Sequence, residues 1–435
     1  MSAGFALRPL NGGRMGVHHA DGRTGAALAT LFRQLERASP HYRALLAAAP
    51  RDDALSTLAV LEATEKPVYR GVLARECLAA MAASSFISDH SSGTTAEPVA
   101  RYSRPVDELA EQHLTESVFA AAGIGPGSRL LCIDVNAAEI ADFYLRTARA
   151  LGAACTAFLH LSADLGAAST AMDRFAPTHL LTIPSLLARL WSTSPAPPRG
   201  LEAIVSVGEL LSPELRTVVA GAGGCRVRSF YGTTETGGVG AECHHCCGHH
   251  FAADAFVPVL EGATLVEPGV AQGELLLTTT QHRTHAVVNY RVGDIVRVDV
   301  RPCRCGDPRP RLLPLHRASD ALIFAGYKFS YTTLLGALAA RVPGVLGAVF
   351  AVRDGELGRS LVTLCVHAVT RKPVGAETLV GSLRAGLPDL DAMVRSGVLG
   401  VEIAGDVPET THRKSDRIID LRRYGAGQGE EPNGS

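Results

Sequence analysis

Between residues 128 and 232 short apolar runs alternate with longer amphipathic stretches: RLLCIDV, IADFYLRTARALG, CTAFLH, LGAASTAMDRFAP, THLLTI, PSLLARLW, AIVSVG, SPELRTVVAGAG and RVRSFYG. The apolar runs have the length of strands and show little alternation, so both of their faces must be buried. Such an order calls for parallel βαβ units, and ligands in parallel sheets lie beyond the carboxyl ends of the strands. SVGE at 206–209 and FYGTTE at 230–235 each follow an expected strand. Both are therefore placed at one candidate site.

The rest of the chain reads differently. TGAALATLFRQLERASPHYRALLAAA and RPVDELAEQHLTESVFAAAG have helical spacing, the second with Pro105 near its first turn and Gly123 as its stop. After residue 236, GELLLTTT and AVVNYRVGDIVRVDV suggest antiparallel strands. From about residue 320 helix and strand alternate again in a smaller unit. The fold class expected is α/β. A large N-terminal domain over 25–318 would hold mixed and parallel βαβ sheets with a β-rich subdomain, and a small α+β domain would span 319–424. Residues 1–24 are expected to be a flexible lead-in and 425–435 a disordered polar tail.

At 435 residues the chain exceeds one ordinary core. A formal charge of −1 gives no electrostatic footprint for nucleic acid or an anionic membrane. No stretch approaches the roughly 18 apolar residues of a membrane span, and the first residues lack the apolar core of a secretory leader. A cytoplasmic protein, monomeric or homodimeric, acting on small molecules or proteins is expected. Five of its ten cysteines (Cys243, Cys246, Cys247, Cys303, Cys305) fall in two short segments, the first rich in histidine. In a reducing compartment that clustering suggests a metal before disulfides.

HSSGTTAEPVARYS at 90–103 gathers Ser91, Ser92, Thr94 and Thr95 around Gly93. Backbone and hydroxyl donors of this kind can cradle a phosphate, yet Glu97 stands where a phosphate loop wants a cation. Taken alone, the segment reads more readily as an ordinary turn. YRVGD alone reads as a strand followed by a turn with a solvated Asp294, Glu209 can merely begin a helix, and Lys414 in isolation is a surface lysine.

Taken together, SSGTTAEP (91–98), VGE (207–209), SFYGTTE (229–235), YRVGD (290–294), HRASD (316–320) and RKSDRIID (413–420) stand in a telling order. Their order and spacing resemble the adenylate-forming acyl-CoA synthetase superfamily, nearest its phenylacetate-CoA ligase-like branch of aryl-CoA ligases. The resemblance implies that ATP and a carboxylic acid give an acyl-adenylate and pyrophosphate, and that a thiol, usually that of coenzyme A, then attacks the adenylate. It implies that Ser91, Ser92, Gly93, Thr94 and Thr95 cover the β- and γ-phosphates. Gly208, Glu209 and Gly232 would border the nucleotide, and Tyr231 would lie against the adenine. Thr234 would reach the α-phosphate, Glu235 would help to hold Mg²⁺, Asp294 would accept both ribose hydroxyls and Arg317 would contact ribose or phosphate. Asp320 would be the hinge of a mobile C-terminal domain. Lys414 on that domain would supply the cation of adenylation, while a second face around AGYKFS, with Gly326, would meet the thiol. Ala96 and Glu97 depart from the family's glycine and lysine.

ECHHCCGHHFAADAF and RPCRCGDP supply metal ligands on two loops. A C-x-C pair with one cysteine and one histidine from the other loop would satisfy structural zinc. The resemblance selects Cys243, His250, Cys303 and Cys305. Thiols without metal, or a catalytic cysteine, are the competing readings, and His244, His245, Cys246, Cys247 and His249 crowd the same loop.

Asp134, Asn136, Glu139 and Asp142 make the expected acid pocket polar, which favours a substituted or polar aromatic acid, such as a hydroxy- or aminobenzoate of specialised metabolism, over phenylacetate. Two other classes stay open. One passes the acyl group to a carrier protein or a nitrogen nucleophile; the other is a non-catalytic homologue that binds nucleotide or acid.

Overall fold

The apolar runs of the first half form the parallel strands Arg129–Asp134, Cys155–His160, His179–Thr182, Ala203–Ser206 and Arg226–Thr233. The computed structural model describes residues 4–50, 53–81, 87–90, 100–134, 138–160, 165–193, 198–245, 248–280, 285–318, 321–324, 327–354, 362–397, 399–404 and 418–420. Two compact units are present. One comprises Met1–Leu190, Ala196–Leu211 and Val219–Ala318; the other comprises Ser319–Ser435 with Trp191–Pro195 and Ser212–Val218.

In the first unit the parallel strands continue into an antiparallel half, and together they make one thirteen-stranded sheet. Its order runs Phe5–Leu10, Arg14–His19, Phe256–Glu267, Val270–Thr279, Tyr290–Asp299, Arg311–Arg317, His249–Phe251, Gly237–Glu242, and then the parallel strands, ending on Cys155–His160. His179–Thr182 and Ala203–Ser206 are buried at every position. The helices Leu109–Ala122 and Ala138–Ala150 contribute Leu114, Phe119, Ala141 and Tyr144 to a core with Leu130, Val205 and Phe230. Tyr290–Asp299 instead alternates buried and half-buried residues along its length, because only one face meets the core. That core joins Leu28, Leu31, Tyr42, Leu58 and Tyr69 to Val259, Leu275, Val288 and Val296.

Two sequence expectations change. Residues 1–24 are not simply a loose lead-in, because Phe5–Leu10 and Arg14–His19 form a hairpin that pairs through Met15 and Gly16 with Phe256–Glu267. Its polar and charged residues conceal it, since only Gly16, Val17 and His19 of its two strands are buried. The expected strand AVVNYRVGDIVRVDV starts late, at Tyr290. Asn289 takes φ +48 and is fully buried, with its side-chain amide donating to the carbonyls of Leu58 (2.7 Å) and Leu61 (3.1 Å). Asparagine tolerates this left-handed backbone better than most residues.

The second unit is an α+β fold. Val345–Asp354 and Val362–Thr370 form a central antiparallel pair, with Leu399–Ile403 and Ile418–Asp420 added in parallel on either side. Tyr331–Ala339, Ala376–Gly386 and Pro388–Arg395 supply Leu334, Leu338, Leu383 and Leu390 to its core. Among the described residues no helix is long and apolar enough to cross a membrane.

His179 is 1% exposed, with Nε2 facing the Ala122 carbonyl at 3.3 Å. Burial holds this imidazole, and that of His19, below the ordinary 6.5. The unfolded chain therefore takes up protons near that pH which the folded chain refuses. Stability is full above it and falls as pH drops below it. Melting temperatures measured from about pH 8 to about pH 5 should decline on the acid side, and His179→Gln should make the decline shallower.

Candidate functional site

The strands Ala203–Ser206 and Arg226–Thr233 run side by side, with Ser206 opposite Ser229. Beyond Ser206 the chain turns through Val207, Gly208 at φ +77 and Glu209. Beyond Thr233 it reverses through Thr234, Glu235 and Thr236 into Gly237–Glu242. The Thr236 amide donates to Thr233 Oγ1 at 3.2 Å, and the two hydroxyls lie 2.9 Å apart, which tightens this turn. A Cβ on Gly232 would stand 2.6 Å from the Gly237 carbonyl oxygen, so the strands approach there only as glycine permits. Both segments expected at the carboxyl ends of strands are thus found at neighbouring strand ends.

Tyr231, Asp294 and Arg317 come together from three strands. The Tyr231 hydroxyl donates to Asp294 Oδ2 at 2.7 Å, and Arg317 Nε lies 3.0 Å from Asp294 Oδ1. Asp294 and Arg317 are direct cross-strand neighbours, so the ladder between Tyr290–Asp299 and Arg311–Arg317 sets the ion pair. Asp294 is 7% exposed. Burial, then the charge of Asp294, pushes the Tyr231 phenol well above its ordinary value, so it stays a donor. One carboxylate thereby holds an aromatic ring and a guanidinium at one end of the sheet.

Glu235 is buried in the turn, and Lys66 Nζ lies 3.5 Å from its Oε1. Tyr290 stands beside it; burial first, and then the Glu235 carboxylate, raises that phenol above its ordinary value. The sequence reading did not find Lys66. Backbone pairing puts it there: the Thr64 amide donates to the Asn289 carbonyl at 3.0 Å, and the Arg291 amide donates to the Thr64 carbonyl at 3.1 Å. A signal did exist. The chain holds four lysines (Lys66, Lys328, Lys372 and Lys414) against 38 arginines, so each lysine is conspicuous.

Cys243, His250, Cys303 and Cys305 present ligand atoms that all lie within 4.8 Å of one another. Cys243 and Cys303 sulfurs are 3.9 Å apart, and Cys305 Sγ is 3.4 Å from His250 Nε2. His250 Nδ1 lies 3.0 Å from the Arg309 carbonyl, which can only accept, so the proton is on Nδ1 and the Nε2 lone pair faces the thiols. Burial first raises the Cys243 thiol, to about 12. Three sulfurs and an imidazole nitrogen are the donor set of a closed tetrahedral zinc site. His249 instead faces the Leu312 carbonyl at 3.1 Å, while His244 and His245 are exposed, with ring centroids 4.2 Å apart and tilted by 42°. Cys246 and Cys247 lie outside the described residues, as do Ser91, Ser92, Gly93, Thr94, Thr95, Ala96, Glu97, Asp320, Gly326 and Lys414.

The AMP-binding enzyme family matches residues 82–282. The phenylacetate-coenzyme A ligase of Thermus thermophilus is 26% identical over 245 residues, 51% of this chain and 54% of that protein. Residues 82–282 of the chain are thus similar to AMP-binding enzymes. The chain's alignment spans about half the length of that curated relative. A 2-hydroxyisobutyryl-CoA ligase in the postadenylation state, in complex with R3-HIB-AMP, shares the fold at a TM-score of 0.69. It is 16% identical, over 92% of this chain and 89% of that one. The amide bond synthetase McbA of Marinactinospora thermotolerans shares it at 0.51, 17% identical over 91% and 92%. The chain therefore shares the mixed α/β fold of these two ligase structures.

The Tyr231 hydroxyl is the donor that the buried Asp294 carboxylate receives from the end of Arg226–Thr233. Tyr231→Phe leaves that oxygen without it and should cost roughly 1–3 kcal/mol of stability, read from a urea melt. A melt unchanged from wild type would show that the bond contributes nothing.

Proposed function

We propose that this protein activates a carboxylic acid with ATP as an acyl-adenylate and then transfers the acyl group to a thiol, that of coenzyme A. The observation that carries the reading is the junction of Tyr231, Asp294 and Arg317 at the end of the sheet. An aromatic face, an acceptor-only carboxylate and a guanidinium suit adenine, ribose hydroxyls and phosphate in turn. Gly208, Glu209 and Gly232 border the same strand ends, and Thr234 and Glu235 follow at the phosphate end. Glu235 offers the oxygen donors that Mg²⁺ takes, and with the nucleotide phosphates it would hold the ion, whose charge offsets that of the triphosphate. Lys66 beside Glu235 adds a positive charge of the kind that SSGTTAE, with Glu97 in place of a cation, does not supply.

Ser91, Ser92, Gly93, Thr94 and Thr95 are assigned to the β- and γ-phosphates, Asp320 to a hinge, and Lys414 to the carboxylate and α-phosphate, where charge accumulates in the transition state. For the acid we favour a polar or substituted aromatic one in specialised metabolism, on the strength of the polar residues at 134–142. Cys243, His250, Cys303 and Cys305 are assigned a structural zinc; four protein ligands leave no open position for catalysis. Cys243, Cys303 and Cys305 are thiols and not disulfides, which suits a reducing compartment such as the cytoplasm.

AMP release from ATP, measured with a panel of aryl and aliphatic acids, tests the reading. Acid-dependent AMP that rises with coenzyme A is expected. AMP indifferent to coenzyme A would redirect the acyl group to a carrier protein or an amine, and none with any acid would leave a binding protein. Lys414→Ala should lower adenylation on the order of a hundredfold or more, yet still convert preformed acyl-adenylate to thioester.

Metal analysis should find one zinc per chain, absent from Cys303→Ala together with a lower melting temperature. Wild-type protein free of metal would remove the assignment.

A further inference from the structure

Among the described residues the strand Ala100–Ser103 pairs only with Ile87–His90, in a two-stranded sheet separate from the main one. Backbone ladders therefore do not tie it to the turn that carries Glu235. Its side chains do, from two sides.

Arg101 is 6% exposed, and its guanidinium occupies the space that a side chain at residue 237 would need. A Cβ on Gly237 would lie 1.9 Å from Arg101 Nη1 and 2.6 Å from Glu111 Oε2, and φ there is +72. The guanidinium is held by Glu111 Oε2 at 3.2 Å and Glu108 Oε1 at 3.7 Å, and the Ser103 hydroxyl donates to the same Glu108 oxygen at 2.8 Å. Tyr102 reaches the other flank. Its ring stacks on His285 at 6.0 Å and 19°, and its amide faces His285 Nδ1 at 3.5 Å. His285 stacks in turn on Tyr69 at 4.3 Å and 13°, and the Tyr69 hydroxyl lies 3.3 Å from the Glu235 carbonyl it can donate to.

Successive strand residues point to opposite faces. Arg101 therefore abuts the turn just past its last residue, while the stack from Tyr102 ends on Glu235 itself. An apolar side chain could fill the Gly237 space without burying a charge, whereas a guanidinium between two carboxylates fits in few orientations. We propose that Arg101 and Tyr102 are positioning residues that set the Glu235 turn for Mg²⁺-ATP before the nucleotide arrives. This rests on the reading that Glu235 holds the Mg²⁺ of the nucleotide. A ligand group held in place by surrounding contacts needs less reorganisation on binding.

The test compares binding of Mg²⁺-ATP with binding of AMP in the absence of Mg²⁺, by titration calorimetry, for wild type, Arg101→Lys and Tyr102→Leu. AMP relies on the Tyr231, Asp294 and Arg317 end and does not call on Glu235. Each variant should bind Mg²⁺-ATP about tenfold more weakly and AMP within about twofold of wild type. The Mg²⁺ concentration that half-saturates ATP binding should rise in parallel. Should Arg101→Lys fail to fold, Tyr102→Leu carries the test alone, since it leaves no charge unpaired. Unchanged Mg²⁺-ATP affinity, or AMP weakened as much as Mg²⁺-ATP, would overturn the positioning role. Wild-type protein indifferent to Mg²⁺ would instead overturn the reading of Glu235, and this inference with it.

Discussion

Everything at the candidate site depends on the junction where the sheet stops being parallel. The strand Arg226–Thr233 takes its parallel neighbour on one side and its antiparallel hairpin partner Gly237–Glu242 on the other. Backbone hydrogen bonds must be satisfied on both edges of a buried strand. The short turn Thr234–Thr236 is what allows the change of direction without a gap. One consequence is that strand ends from the βαβ half meet side chains from the antiparallel half. Tyr231 belongs to the first and Asp294 to the second, and no single stretch of chain could have presented both.

Buried charge gives this junction its specificity. Asp294 and Glu235 are both largely removed from water, and a carboxylate in that position is costly without partners. Asp294 has Tyr231 and Arg317; Glu235 has Lys66. The partners arrive by backbone register: Arg317 through the cross-strand ladder, Lys66 through the Thr64 and Asn289 pairing. Arg291 reinforces that second link with contacts of 2.8 Å to Glu65, 2.7 Å to Glu261 and 2.7 Å to Glu274. The fold itself therefore orders these charges, through backbone register.

The Cys/His cluster solves a different problem on the same sheet. His249–Phe251 is a three-residue strand between Gly237–Glu242 and Arg311–Arg317, too short to hold two irregular loops by its ladder alone. Three thiols and His250 draw the loop after Gly237–Glu242 and the loop before Arg311–Arg317 to one point.

Much of this was legible beforehand. Continuous apolar runs identified the buried parallel strands, and the α+β unit followed from its own alternation, because periodicity records which faces must leave water. The motif order likewise singled out Tyr231, Glu235, Asp294, Arg317 and the Cys/His quartet as site candidates. Hidden from the sequence were the hairpin Phe5–His19, whose polar residues mask a half-buried strand, and the positions of Lys66, Arg101 and His285. Those three depend on pairings between segments far apart in the chain, and a linear pattern carries no record of which strand edges meet. Local chemistry and burial were determined by the sequence alone; which charges face each other was decided only when the strands chose their register.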